Sequence, residues 1–70
     1  MKLKLFELAI NKGIKKGDKI YAEFSDGSKY CKFYHLDGMY SYCVTEKGGV
    51  VHLHTATEIE IKDGKFFINL

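Results

Sequence analysis

Three side chains near the middle of the chain have the types that hold a metal or carry nucleophilic chemistry: Cys43, His52 and His54. Imidazoles two residues apart on an extended strand point the same way, so His52 and His54 with a nearby thiolate present the ligand types of a zinc site. Structural zinc takes four ligands, whereas only three converge here, and no Cys-x-x-Cys spacing supports them. His35 would need a bend in its strand to join them. The expectation is no bound metal, with Cys43, His52 and His54 the only candidates for one. The same set could pair a thiol with a base, oriented by Glu58 or Asp37. A reactive thiolate also needs an oxyanion hole and a cleft, which a thin sheet of this size does not offer. Neither catalysis nor a cofactor is expected. Glu58 and Glu60 alternate along one segment and read as its solvated side.

A second constellation is aromatic and basic. Lys19 and Tyr21 alternate on one segment, and Tyr30, Lys32 and Tyr34 on the next. If the two segments pair, these five share a face on which bases can stack and phosphates can be neutralised, each stack contributing about 1–3 kcal/mol. The same residue types stabilise a sheet without any ligand, because tyrosine favours strands and Tyr/Lys pairs attract across them. Tyrosine is also enriched at protein interfaces.

The elements that must position these groups are set by glycine-bearing turns. Asp26/Gly27, Asp37/Gly38, Gly48/Gly49 and Asp63/Gly64 separate segments of alternating polarity, and such dipeptides accept the positive φ angles of tight hairpins. Two-residue turns place Phe24 opposite Lys29, Ala22 opposite Cys31 and Ile20 opposite Phe33, then Phe33 opposite Tyr42, Cys31 opposite Val44, Val44 opposite Leu53 and Ile61 opposite Phe66. One face then collects Ile20, Ala22, Phe24, Cys31, Phe33, Tyr42, Val44, Val51, Leu53, Ile59, Ile61, Phe66 and Ile68 as the core. Cys31 points inward and Cys43 outward, opposite His54. Strands are expected over 19–25, 28–36, 39–46, 50–55, 57–62 and 65–70. Ahead of them, the spacing of Leu5, Phe6, Leu8, Ala9 and Ile10 predicts a helix of about two turns ending at Gly13.

The expected fold is mainly β: a short N-terminal helix followed by a bent five- to six-stranded antiparallel meander, in one small β-barrel domain over 1–70. The last segment presents Phe66, Phe67 and Ile68 in succession. It reads as an edge, covered by the helix or paired with another subunit through Phe67 and Ile68.

Composition narrows the partners. A chain of 70 residues buries only roughly 60% of its unfolded surface. The net charge is +2, with lysine as the entire basic complement of 11. Lysine supplies point charge but lacks the planar fork that reads guanine, so base-specific duplex recognition is disfavoured. Glu7 interrupts any signal-peptide core, and no segment reaches membrane-spanning length. The reading is a reduced, cytoplasmic protein without membrane association, from an AT-rich genome.

A short helix followed by a bent antiparallel sheet resembles the layout of the Sm-like family. Gly27, Cys31, Phe33, Leu36, Asp37, Tyr40, Ser41, Tyr42 and Val44 are similar to that family's first motif, and Val51, His52, Leu53 and His54 take the place of its second. Cys31 stands where a second glycine is expected, Ser41 where the family has Asn, and His54 where it has a basic residue. The chain also adds Lys65 to Leu70 beyond the family's fifth strand. An SH3-like small barrel fits the same pattern. The resemblance implies a ring-shaped homo-oligomer binding single-stranded RNA, with Tyr40 stacking on a base, Ser41 hydrogen-bonding it, Asp37 holding the loop and His54 facing the pore. Loss of the Asn amide would weaken base selectivity. The leading expectation is therefore a non-enzymatic, self-associating small β-barrel that binds single-stranded nucleic acid, RNA before DNA. The alternatives are a protein-interaction module, such as a small phage-type inhibitor of a host protein, and a ring that sequesters a small nucleotide.

Overall fold

The structure, a computed structural model, describes residues 1–37 and 40–69, and of residues 35–37 and 40 the backbone alone. The elements run β1 (Lys2–Lys4), α1 (Leu5–Ile10), β2 (Lys19–Tyr21), β3 (Tyr30–Asp37), β4 (Tyr40–Thr45), β5 (Val50–His54), β6 (Glu58–Lys62) and β7 (Lys65–Phe67). All the strands join one sheet in the order β1-β6-β7-β2-β3-β4-β5. The chain is mainly β with a short N-terminal helix, as its patterning predicts, and the sheet is not closed.

Three features depart from the expected meander. There are seven strands, because Lys2–Lys4 pairs with β6 before the helix begins. Strand β7 runs parallel to β2, so the sheet is mixed. It also lies between β6 and β2, paired with both. It is therefore no edge: Ile68 is part of the core, and half-buried Phe67 packs on Tyr21 at 5.6 Å between centroids. The edges are β1 and β5.

Turn chemistry explains which registers match expectation. Asp63 and Gly64 both take positive φ (53° and 74°), the requirement of a two-residue type I′ turn. Ile61 accordingly faces Phe66 as expected. The other two described turns carry three-residue loops over 25–27 and 46–48, each ending on a glycine in the left-handed region (Gly27 φ 88°, Gly48 φ 90°). Phe24 N–H donates to the Ser28 carbonyl, and Thr45 N–H to that of Gly49. The 25–27 loop shifts the β2–β3 pairing by one residue, and an irregularity between Phe24/Ser28 and Ala22/Lys29 adds a second, so that Ile20 faces Cys31 instead of Phe33. A slip of two leaves every side chain on its expected face.

Strand β4 is different. A bulge between Phe33 and His35 shifts the ladder by one residue and sets Phe33 opposite Cys43, and a slip of one exchanges the faces. Ser41, Cys43 and Thr45 turn inward and are buried. Tyr42 and Val44, expected in the core, lie on the outer face and are only half-buried. Strand β5 regains its expected face because its register to β4 slips by an odd number as well, placing Val51 opposite Cys43. Leu53 is buried and Val51 packs against the core.

The core holds Leu5, Leu8, Ile14, Ile20, Phe24, Cys31, Phe33, Cys43, Leu53, Ile59 and Ile68, with Ala22, Ile61 and Phe66 packed against it. Its buried polar groups are satisfied: Ser41 Oγ donates to the Leu53 carbonyl at 2.8 Å, and Thr45 Oγ1 donates to Asp26 Oδ2 at 2.8 Å while accepting from Gly49 N–H. Asp26 Oδ1 takes the Ser28 N–H at 2.8 Å, so one carboxylate ties the 25–27 loop to the 46–48 loop. Helix α1 ends one residue before Asn11. Lys12 (φ 57°) holds the left-handed position expected of Gly13, and Gly13 N–H returns to the Leu8 carbonyl at 2.7 Å, a Schellman closure. A side chain on Gly13 would meet Leu8 Cδ2 at 3.1 Å, so this glycine serves close approach.

Candidate nucleic-acid interface

Alternation along β2, β3, β4 and β7 puts one set of residues on the sheet face opposite the core. Pairing places Tyr21 beside Tyr30 and Lys19 beside Lys32, with Phe67 next to Tyr21 on the far side. Two aromatic groups result. In the first, Tyr21 lies 6.1 Å from Tyr30 and 5.6 Å from Phe67, all tilted, with Lys19 Nζ 4.6 Å above Tyr30 and Lys65 Nζ 5.6 Å above Tyr21. In the second, Tyr34 and Tyr42 stack nearly flat, 5.5 Å apart at 14°, with Lys16 Nζ 5.2 Å from the Tyr34 centroid. A shallow hollow of ≈ 290 Å³ opens beside Tyr34, between α1 and the Lys15–Lys16 loop. The five residues singled out for this face, Lys19, Tyr21, Tyr30, Lys32 and Tyr34, are thus together on it. Tyr42, Phe67, Lys16 and Lys65 join them. Tyr42 escapes sequence reasoning because only the bulge after Phe33 turns it outward, and the lysines because their sequence neighbours carry no alternation.

This surface offers one exposed ring, Tyr34, and four half-buried ones, Tyr21, Tyr30, Tyr42 and Phe67, with ammonium groups beside three of the five. Each ammonium sits within the distance at which a cation is attracted to a ring face and can move from ring to phosphate when a base takes its place. Carboxylates border this surface on the Phe67 side: Glu60 pairs with Phe67, Glu23 lines a hollow with Tyr21 and Phe67, and Glu58 and Glu60, facing Lys4 and Lys2 across the β1–β6 pair, line another of ≈ 500 Å³; there they would repel phosphate.

The other singled-out residues separate. Ser41 is 1% exposed with its proton committed to Leu53, so it cannot read a base from the outer face. Cys43, expected beside His52 and His54, is buried on the opposite side of the sheet from them. The three therefore form neither a metal site nor a thiol–base pair. Among the described residues no group of three or more His, Cys, Asp or Glu could hold a metal ion. His54 is exposed at the end of β5, and its Nδ1 accepts the Ala56 N–H at 3.0 Å, leaving Nε2 to carry the proton of a neutral ring. The side chains of Asp37 and Tyr40, and that of His35, lie outside the described residues. Cys31 and Cys43, expected on opposite faces, meet in the core as free thiols. Hydrogen bonding to Cys43 and burial hold the Cys31 thiol well above its ordinary range, which keeps that thiol protonated and unreactive.

Compared with protein-family models, with characterised proteins and with solved structures, the chain matches none. No helix among the described residues is long and apolar enough to cross a membrane.

Proposed function

We propose that this chain is a non-enzymatic small-barrel protein that binds single-stranded nucleic acid, RNA before DNA, on the outer face of β2, β3, β4 and β7. The observation that carries the reading is the pairing of rings and cations on that face: three ammonium groups each within 6 Å of a tyrosine centroid, over Tyr34, Tyr30 and Tyr21. Stacking on tyrosine tolerates any base and lysine engages any phosphate, so recognition is of single-strandedness and not of sequence. Kinship with Sm-like or SH3-like barrels belongs to the same proposal. It is supported by the consecutive antiparallel order β2-β3-β4-β5 and by the sharp corner after β5, where Thr57 N–H returns to the His54 carbonyl. The ribonucleotide preference follows from that kinship alone.

Fluorescence polarisation with labelled oligo(U) and oligo(dT) tests the binding. Engagement of Lys16, Lys19, Lys32 and Lys65 gives a log–log salt slope of up to about −3 for a single strand. Removing one stacking ring by Tyr34→Ala weakens binding by about 1–3 kcal/mol. Flat salt dependence, or full affinity in Tyr34→Ala, refutes the reading. Stoichiometric capture of one protein that nuclease does not disturb would instead make the same aromatic face a protein-interaction surface.

A further inference from the structure

The two edges of the sheet are built differently. On β1, the Met1 carbonyl accepts from Ile61 N–H, and Leu5 N–H donates to the Thr57 carbonyl. Odd-numbered residues therefore face β6, and only Lys2 and Lys4 turn backbone groups outward. The Lys4 N–H is taken by Glu7 Oε1 at 3.4 Å, and both residues carry lysine side chains, the usual protection of an edge. On β5, the bond from Thr45 N–H to the Gly49 carbonyl and the register Cys43↔Val51 and Ser41↔Leu53 make the odd-numbered residues face β4. Val50, His52 and His54 then turn their N–H and C=O groups off the sheet. Among the described residues, the one backbone bond to these outward groups is Thr57 N–H to the His54 carbonyl. This strand carries no lysine, carboxylate, proline or bulge, and Val50 is 58% exposed.

We infer that β5 is a self-association edge, on which a second copy of this chain pairs its own β5 antiparallel about a two-fold axis through His52. The outward groups are spaced symmetrically about that residue. Antiparallel pairing on the axis sets His52 against His52 of the second copy, exchanging both N–H···O bonds, and sets Val50 against His54 at either end. A head-to-tail ring would have to lay this five-residue edge against β1, which is three residues long, charged and partly capped, so the closed two-fold pair is the complementary arrangement. The union also extends the outer face. Tyr42 lies beside His52 across the β4–β5 pair, so the Tyr34–Tyr42 stacks of two copies would flank the axis on one continuous sheet. The inference concerns the edge and stands or falls independently of nucleic-acid binding. One strand pair lies at the small end of interface sizes, so the dimer is a weak, concentration-dependent one.

Sedimentation velocity of nucleic-acid-free protein between about 10 µM and about 1 mM spans the range in which so small an interface populates. The expected result is a monomer–dimer equilibrium. His52→Pro removes an outward N–H without breaking a bond to β4, a placement that edge strands tolerate, and should raise the dimer dissociation constant at least about tenfold. His52→Lys leaves the fold alone, since the side chain is exposed, and apposes two ammonium groups at the axis with the same outcome. Circular dichroism confirms the fold of each variant. A wild-type chain that stays monomeric throughout, a ring larger than two, or a dimer that His52→Lys leaves intact overturns the inference.

Discussion

Asp26 does more than close a turn. Its two oxygens accept from Ser28 N–H and from the buried Thr45 hydroxyl, and these bonds, the Ser28 backbone first, hold its carboxyl below the ordinary value of 3.8. A carboxyl with a lowered folded pKa binds its proton less readily than in the unfolded chain. Its contribution to stability is therefore present above the unfolded value and is lost as pH falls through the folded one. Urea denaturation of wild type and Asp26→Asn should show a stability gap that is constant from about pH 7 to pH 5 and shrinks below pH 4. A gap that widens on acidification contradicts the linkage. The Asp-Gly pair announces a turn in the sequence, but nothing local says that its carboxylate reaches Thr45, 19 residues away. The burial of Ser41 and Cys43 was equally hidden, because it depends on a bulge eight residues earlier in the chain.

Among the elements, those closed by strictly local rules could be read from sequence and the others could not. The β6–β7 hairpin was legible to the residue because Asp-Gly in a type I′ turn leaves no freedom in register. The Gly-bearing loops at 25–27 and 46–48 announced hairpins but not their length, and each added residue shifts the partner strand. Strand β4 exchanged faces through the bulge, whose sequence of alternating Phe33, Tyr34 and His35 looks like ordinary strand. Strand β7 looks like an edge in the sequence because a parallel partner 46 positions distant leaves no turn signal. At the helix end the sequence pointed to the right glycine for the wrong reason: Lys12 takes the left-handed position and Gly13 the tight approach to Leu8. Lys12→Gly should therefore stabilise the chain by up to about 1 kcal/mol, since it removes a side chain from left-handed backbone at a helix C′. A thermal melt at equal concentration reads this out, and a lowered midpoint would contradict the assignment.

At the scale of the molecule, one face of a seven-stranded sheet is spent on the core and α1, while the other keeps five aromatic rings, Tyr21, Tyr30, Tyr34, Tyr42 and Phe67, with several lysines beside them. The small chain gains cross-strand stabilisation from those rings in any case, and their accessible faces are what a single strand could use. Charge is mixed along the same face: Lys16, Lys19, Lys32 and Lys65 stand around the tyrosines, while Glu23 borders Tyr21 and Phe67 and Glu60 pairs with Phe67. A strand bound as proposed would cross β3 and β4, by Tyr30, Tyr34 and Tyr42, and keep away from Glu23 and Glu60. The most direct measurement is an amide chemical-shift titration of the isotope-labelled chain with oligo(U). Shifts concentrated at Tyr21, Tyr30, Lys32, Tyr34 and Tyr42, with α1 and β6 silent, are the expected result. No shifts at millimolar oligonucleotide, or shifts centred on β6 and the Glu58–Glu60 hollow, would contradict the placement of nucleic acid on the aromatic face.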